Sequence, residues 1–255
     1  MYKLFAIANN TFKETIRDRI LYNILIFAVI LIGFSYFLRK LDLLQDPRIV
    51  IDLSLACISI FGAIISIFIG IGLVYKEVEK RTIYTILSKP ISRPFFLLGK
   101  YLGLLMTLLV NVAIMTLVMY LVLAFTERGI DLGILRAVFL TYVELMLITM
   151  ISLFFSCFTT TTLAAIFSLS FYVIGYVTDD LKILGAKSGS YLASQATGLL
   201  YQVLPNLNYF NIRAEIVHSL PISLKQIWFS TMYGFFYIAI FYILAIIIFS
   251  RKDFK

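Results

Sequence analysis

The stretch LMLITMISLFFSCFTTTTLAAIFSLSFYVIGYVT, residues 145–178, runs for 34 residues without a charge. A helix crosses a hydrocarbon core of ~30 Å with about 20 apolar residues at ~1.5 Å each, so this stretch is too long for one span of ordinary tilt. Phe158-Thr159-Thr160-Thr161-Thr162 lies near its middle as a polar, turn-tolerant break. Split there, the stretch yields one span reaching back from Phe158 to near Ala137, and a second from Thr159 to Thr178 that stops at Asp179-Asp180. Residues 20–38, 53–75, 101–126 and 226–250 are also free of charge and each is long enough to cross. The expected fold is therefore an all-α integral membrane protein with six transmembrane helices in a single domain over residues 1–255.

Composition agrees: 61% of the residues are hydrophobic and 14% charged, against roughly 25% charged in a soluble domain. The net charge of +8 comes from short basic clusters between apolar runs, without the aromatic-interleaved stripe of a nucleic-acid surface, so no nucleic-acid partner is expected. Six spans place 13 of the 22 Lys and Arg on the side of both termini, and the positive-inside rule makes that side cytoplasmic. No small-residue cleavage site follows the first apolar run, which is expected to stay in the mature protein. Cys57 and Cys157 fall inside apolar runs and behave as small hydrophobes, with no disulfide or metal-ligand spacing.

Residues 1–19 place Leu4, Phe5, Ala8, Phe12 and Ile16 at helical spacing with Lys3, Asn10, Lys13 and Arg17 on other faces, which predicts an interfacial amphipathic elbow helix against membrane lipids. Its alternative role is a simple positive anchor for topology. The extracytoplasmic segment, residues 179–226, carries a helical pattern at Leu192, Ala196, Leu199, Leu200 and Val203 that Pro205 stops, and a second short helix is expected over residues 212–220. Trp228 just beyond suits an interfacial anchor.

The cytoplasmic loop of residues 76–100 lies within KEVEKRTIYTILSKPISRPFFLLGKYLG, residues 76–103. Glu77 and Glu79 suit the first turn of a short helix, Lys89 and Pro90 its end, and Ser92 with Pro94 the cap and first turn of the next helix. A solvated positive loop is the plain alternative. Glu77-x-Glu79-x-x-Thr82, then residues 86–93 (ILSKPISR) and Leu98-Gly99-Lys100, resemble the cytoplasmic-loop signature of ABC type-2 permeases, in particular the branch that includes the permease of nitrous-oxide-reductase maturation. The family often has Gly before the Thr, where Arg81 stands here.

The resemblance implies the permease subunit of an ATP-binding-cassette exporter in a bacterial or archaeal plasma membrane. It also implies a second permease copy, a cytoplasmic ABC ATPase dimer and, as a further candidate partner, an extracytoplasmic accessory protein. Glu77, Glu79, Lys80, Arg81, Thr82, Ile83, Ile86 and Leu87 then correspond to a cytoplasmic coupling helix that docks on the ATPase. ATP and magnesium would bind in that ATPase. This chain's own Gly99-Lys100-Tyr101 has Pro94 where a phosphate-binding loop needs its first Gly, so no cofactor is expected here.

No Gly-x-Ser-x-Gly elbow, His-x-x-x-His or Cys-x-x-Cys accompanies the single His218, which reads as a surface residue, and the chain is not expected to be an enzyme by itself. Gly62, Ser66 and Gly70 form a small-residue stripe suited to close helix contact, within or between subunits. The rings of Tyr233, Phe235, Phe236, Tyr237, Phe241 and Tyr242 could line a path, though lipid-facing or packing roles are the commoner use. Glu144 lies about 12 Å inside the span that begins near Arg136, at ~1.5 Å per residue, and is the candidate for translocation or gating. Its alternative is a structural hydrogen bond to a Tyr, Thr or Ser of a neighbouring helix. The alternative function is a membrane scaffold or assembly factor without transport.

Overall fold

A computed structural model of the chain describes residues 2–40, 47–79, 92–125, 133–187, 191–218 and 220–251. Nine α-helices occur among them: α1 (Tyr2–Thr15), α2 (Arg19–Lys40), α3 (Pro47–Glu79), α4 (Arg93–Ala124), α5 (Gly133–Ser156), α6 (Thr161–Lys187), α7 (Tyr191–Val203), α8 (Arg213–Val217) and α9 (Leu224–Arg251). A single 3₁₀ turn, Leu207–Phe210, precedes α8, and no strand occurs among the described residues. Helices are the expected answer, because a bilayer offers no partner for a backbone amide and a helix satisfies its own. Five of them (α3, α4, α5, α6 and α9) are long and apolar enough to cross, and α1 with α2, bent by 67° at the break between them, make a sixth. By itself α2 covers 22 residues, enough for a bilayer core at ~1.5 Å per residue.

The threonine break falls where its polarity predicts. α5 stops at Ser156 and α6 starts at Thr161, and the Phe155 carbonyl accepts both the Thr159 hydroxyl at 2.8 Å and the Thr159 backbone N–H at 3.0 Å. The far end of α6 differs from expectation: it continues past Asp179-Asp180 to Lys187, so these charges do not end the helix. Of the outer segment, α7 matches the predicted stripe, whereas the second short helix covers only Arg213–Val217. Exposed His218 caps that helix.

α1 lies against the start of α4, and the glycines of α4 explain why. A Cβ on Gly103 would sit 2.5 Å from the Ala8 carbonyl and 2.6 Å from Thr11 Cβ, and one on Gly99 would sit 2.9 Å from Ile7. Ala8 and Thr11 are accordingly buried, while Phe5 is 63% exposed. The stripe is thus divided, with one edge on protein and Phe5 left exposed. Lys100 is buried beneath α1, with Nζ 4.0 Å from Glu14 Oε2 and over the Phe96 ring.

Ser92 occupies the N-cap of α4, with Pro94 in the first turn, but its side chain makes no capping bond. The neighbouring Arg93 instead donates from Nη1 to Phe249 O (3.1 Å) and Ser250 O (2.7 Å), satisfying carbonyls at the end of α9. Tyr242 OH donates to Pro94 O beside it. Hydroxyls deeper in the bundle bond back to their own helix, as Ser66 does to Gly62 O and Thr149 to Leu145 O, or across helices, as Tyr101 does to Met146 O and Ser156 to Ile71 O.

Candidate functional site

The small-residue stripe of α3 faces α5 within the same chain. A Cβ on Gly62 would meet Leu145 Cδ1 at 2.6 Å and one on Gly70 would meet Ser152 Cβ at 2.6 Å, so the two helices approach as closely as side chains allow. On the other side of α5, Gly234 of α9 receives Val143, whose Cγ1 would lie 2.7 Å from an added Cβ. Val143 and Leu145 are therefore both seated in glycine notches, and they fix the direction of the residue between them.

That residue is Glu144, 1% exposed. Its Oε1 accepts a 2.7 Å hydrogen bond from the Tyr176 hydroxyl of α6, and the Ser59 hydroxyl of α3 lies 3.4 Å from the same phenol. The Tyr172 ring meets Tyr176 edge to face, 5.2 Å between centroids. Glu144, Thr141, Ser59, Tyr172 and Tyr176 line a cavity of about 260 Å³. Phe210, Ile212 and Arg213 close its upper wall, and exposed Ile60 and Asn211 stand at its mouth. Arg213 Nε is 2.7 Å from Asp52 Oδ1, so the cation at this wall has its own counter-charge.

The wall is held in place by a polar clasp. Asp179 accepts from Asn206 Nδ2 at 2.8 Å and from Asn208 Nδ2 at 2.9 Å, and Asn208 also donates to Tyr176 O at 3.0 Å. The backbone N–H of Asn206 donates to Tyr233 OH at 2.8 Å, and Ser230 Oγ donates to Tyr209 O at 2.7 Å, which ties the same turn to α9. A larger cavity of about 440 Å³ beside α1 is lined mainly by apolar groups such as Ile20, Leu21, Ile65 and Phe68, with Glu14, Thr15, Asp18 and Thr161 as its polar members.

A carboxyl in the interior of a membrane bundle costs several kcal/mol unless it is bonded or wetted, and such groups mark functional sites by default. Here it is bonded once and borders a cavity between three spanning helices. A family model described as ABC-2 family transporter protein matches residues 5–254. The chain belongs to the ABC-2 transporter family. It is a membrane permease component of an ABC transporter, and the match does not assign a branch within the family. No match to this permease is found among curated proteins.

In this ABC-2 permease the sequence-predicted residues are described only in part. Glu144 sits at the cavity floor. Glu77 and Glu79 belong to the last turn of α3, and not to the first turn of a separate helix as the sequence suggests, because α3 runs on unbroken to Glu79. Lys80, Arg81, Thr82, Ile83, Ile86 and Leu87 lie outside the described residues. Of the aromatic residues in α9, Phe235 and Phe236 face outward, Phe241 packs on Phe154 and Phe171, and Tyr233 and Tyr242 make the bonds described above. Tyr172, Tyr176, Ser59, Asp52 and Arg213 join the site without any sequence signal of their own, except that Asp52 and Arg213 are charges at the edges of apolar runs.

Proposed function

We propose that this permease is the membrane half of an ATP-driven exporter, paired with a second permease copy and driven by a cytoplasmic ABC ATPase dimer that binds ATP and magnesium. Cargo passes by, or is gated at, the Glu144 cavity. The observation that carries this reading is the Glu144–Tyr176 pair at the floor of a cavity built by α3, α5 and α6. An ionisable group in a bundle interior marks a functional site by default, which favours transport over a scaffold that only docks an ATPase.

Residues 77–87 are the proposed ATPase contact. The chain leaving that region enters α4, whose first turn is bound to the end of α9 through Arg93 and Tyr242. Farther back along α9, Gly234 packs on Val143, next to Glu144. A push on the loop thus has a continuous packed route to the cavity, and the mechanism requires α9 to move as one body. Reversing the charges of Lys80 and Arg81 is expected to uncouple ATP hydrolysis from transport with membrane insertion intact; normal ATPase binding and coupled transport in that variant would refute the assignment.

Both termini are proposed to be cytoplasmic and residues 179–226 extracytoplasmic, in a plasma membrane. Tyr191 and Leu220 are 75% and 55% exposed, and the native Cys57 and Cys157 are buried, so single cysteines can be introduced without removing the native ones. Tyr191→Cys and Leu220→Cys are expected to react with an impermeant maleimide added to intact cells. Labelling that appears only after the cells are opened reverses this topology.

A further inference from the structure

We propose that the Glu144 cavity binds an organic ammonium group, as a free amine or as the headgroup of a lipid. This deepens the proposed function by naming the chemistry of what that cavity handles, and rests on it for the claim that the ligand is cargo.

The charge balance selects the sign. Arg213 is the one cationic residue in the lining, and Asp52 stands 2.7 Å from it as a counter-ion, which leaves the Glu144 carboxyl as the group whose charge a ligand can complete. The hydrogen bond from Tyr176 engages Oε1, and no donor among the described residues reaches Oε2. An anionic ligand would bring its charge against that carboxyl, whereas a cation pairs with it.

The walls select the kind of cation. Tyr172 and Tyr176 set two rings edge to face at the cavity, and buried Phe210 adds a third. Aromatic rings attract ammonium groups through their quadrupole, and pockets built from several rings are a recurring solution for alkylated ammonium. A bare metal ion would need a set of hard ligands, and no group of three or more His, Cys, Asp or Glu suited to a metal occurs among the described residues. The volume selects the size: about 260 Å³ is below the range of roughly 300–1,000 Å³ that holds drug-sized molecules, so the site takes a headgroup or a small amine.

The test is isothermal titration of the purified full chain in nanodiscs of phosphatidylglycerol, a lipid without an ammonium group. Choline and ethanolamine are the probes, and 3,3-dimethyl-1-butanol is the neutral shape-mate of choline. Choline is expected to bind at least about tenfold tighter than the neutral alcohol, and Glu144→Gln to erase that preference. Tyr172→Leu should weaken choline binding while Tyr172→Phe keeps it, a second readout if the Glu144 variant fails to assemble. Equal binding of choline and its neutral shape-mate, no binding of either amine, or unchanged choline affinity in Glu144→Gln each overturns the proposal. Adding phosphatidylethanolamine to the nanodiscs separates the two sources: competition with choline identifies the headgroup, and its lack a free amine. Transport lost in Glu144→Gln with no ammonium preference in the wild type removes this inference alone. An ammonium preference together with full transport in Glu144→Gln removes the transport role alone.

Discussion

Glu144→Gln is expected to lower transport by about tenfold or more, the equivalent of one lost charge-assisted interaction of ~1.4 kcal/mol, with expression and assembly unchanged. The substitution suits the site because the amide keeps the shape of the side chain, and its oxygen can still accept the 2.7 Å bond from Tyr176. Val143 and Leu145 remain seated against Gly234 and Gly62, so the α3–α5–α9 packing has no reason to change. What disappears is the ionisable oxygen facing the cavity. Transport assayed in proteoliposomes containing the partner ATPase, beside a thermal unfolding trace of each variant, separates the roles. Full transport by Glu144→Gln would reduce the residue to a packing element that bonds α6.

Gly103→Val is expected to detach α1 from α4. A Cβ there meets a backbone carbonyl, Ala8 O at 2.5 Å, and Thr11 Cβ at 2.6 Å, so no flexible side-chain end can yield and the helix itself must shift. Overpacking of this kind costs about 1–3 kcal/mol. The shift also draws Glu14 away from the buried Lys100. The variant should unfold at lower temperature and become sensitive to trypsin at Lys13 and Arg17. Gly33→Ala is the control, since nothing lies within 4 Å of the added Cβ, and it should stay within about 1 kcal/mol of wild type. If both glycine variants melt together with the wild type, the contact between α1 and α4 is not what holds the elbow.

The helices were legible in the sequence because a bilayer imposes one length and one composition on every span, and because Thr159 to Thr162 interrupt an otherwise uniform run. The end of α6 was not legible. Asp179 reads locally as a stop, but its carboxylate is satisfied by the amides of Asn206 and Asn208, a contact between residues 27 and 29 positions apart that no local window contains. The elbow stripe was legible as a helix face, yet only the Gly99–Gly103 surface of α4 decides that Ala8 goes inward and Phe5 outward. The same holds at the site. A carboxyl inside a span announces itself, while its bond to Tyr176 depends on the register of α6 against α5, which follows from the clasp and the glycine notches and not from either helix alone.

We propose that this ABC-2 permease moves cargo only when an ATPase docks on residues 77–87. The most direct measurement is to purify the full chain, tagged, from its own membrane and assay the eluate for vanadate-sensitive ATP hydrolysis, beside a variant with Lys80 and Arg81 reversed to Glu. A nucleotide-hydrolysing subunit in near-equal amount is expected with the wild-type chain, and with the variant a depleted subunit whose remaining hydrolysis is uncoupled from transport; equal ATPase recovery and equal transport from both preparations would contradict this.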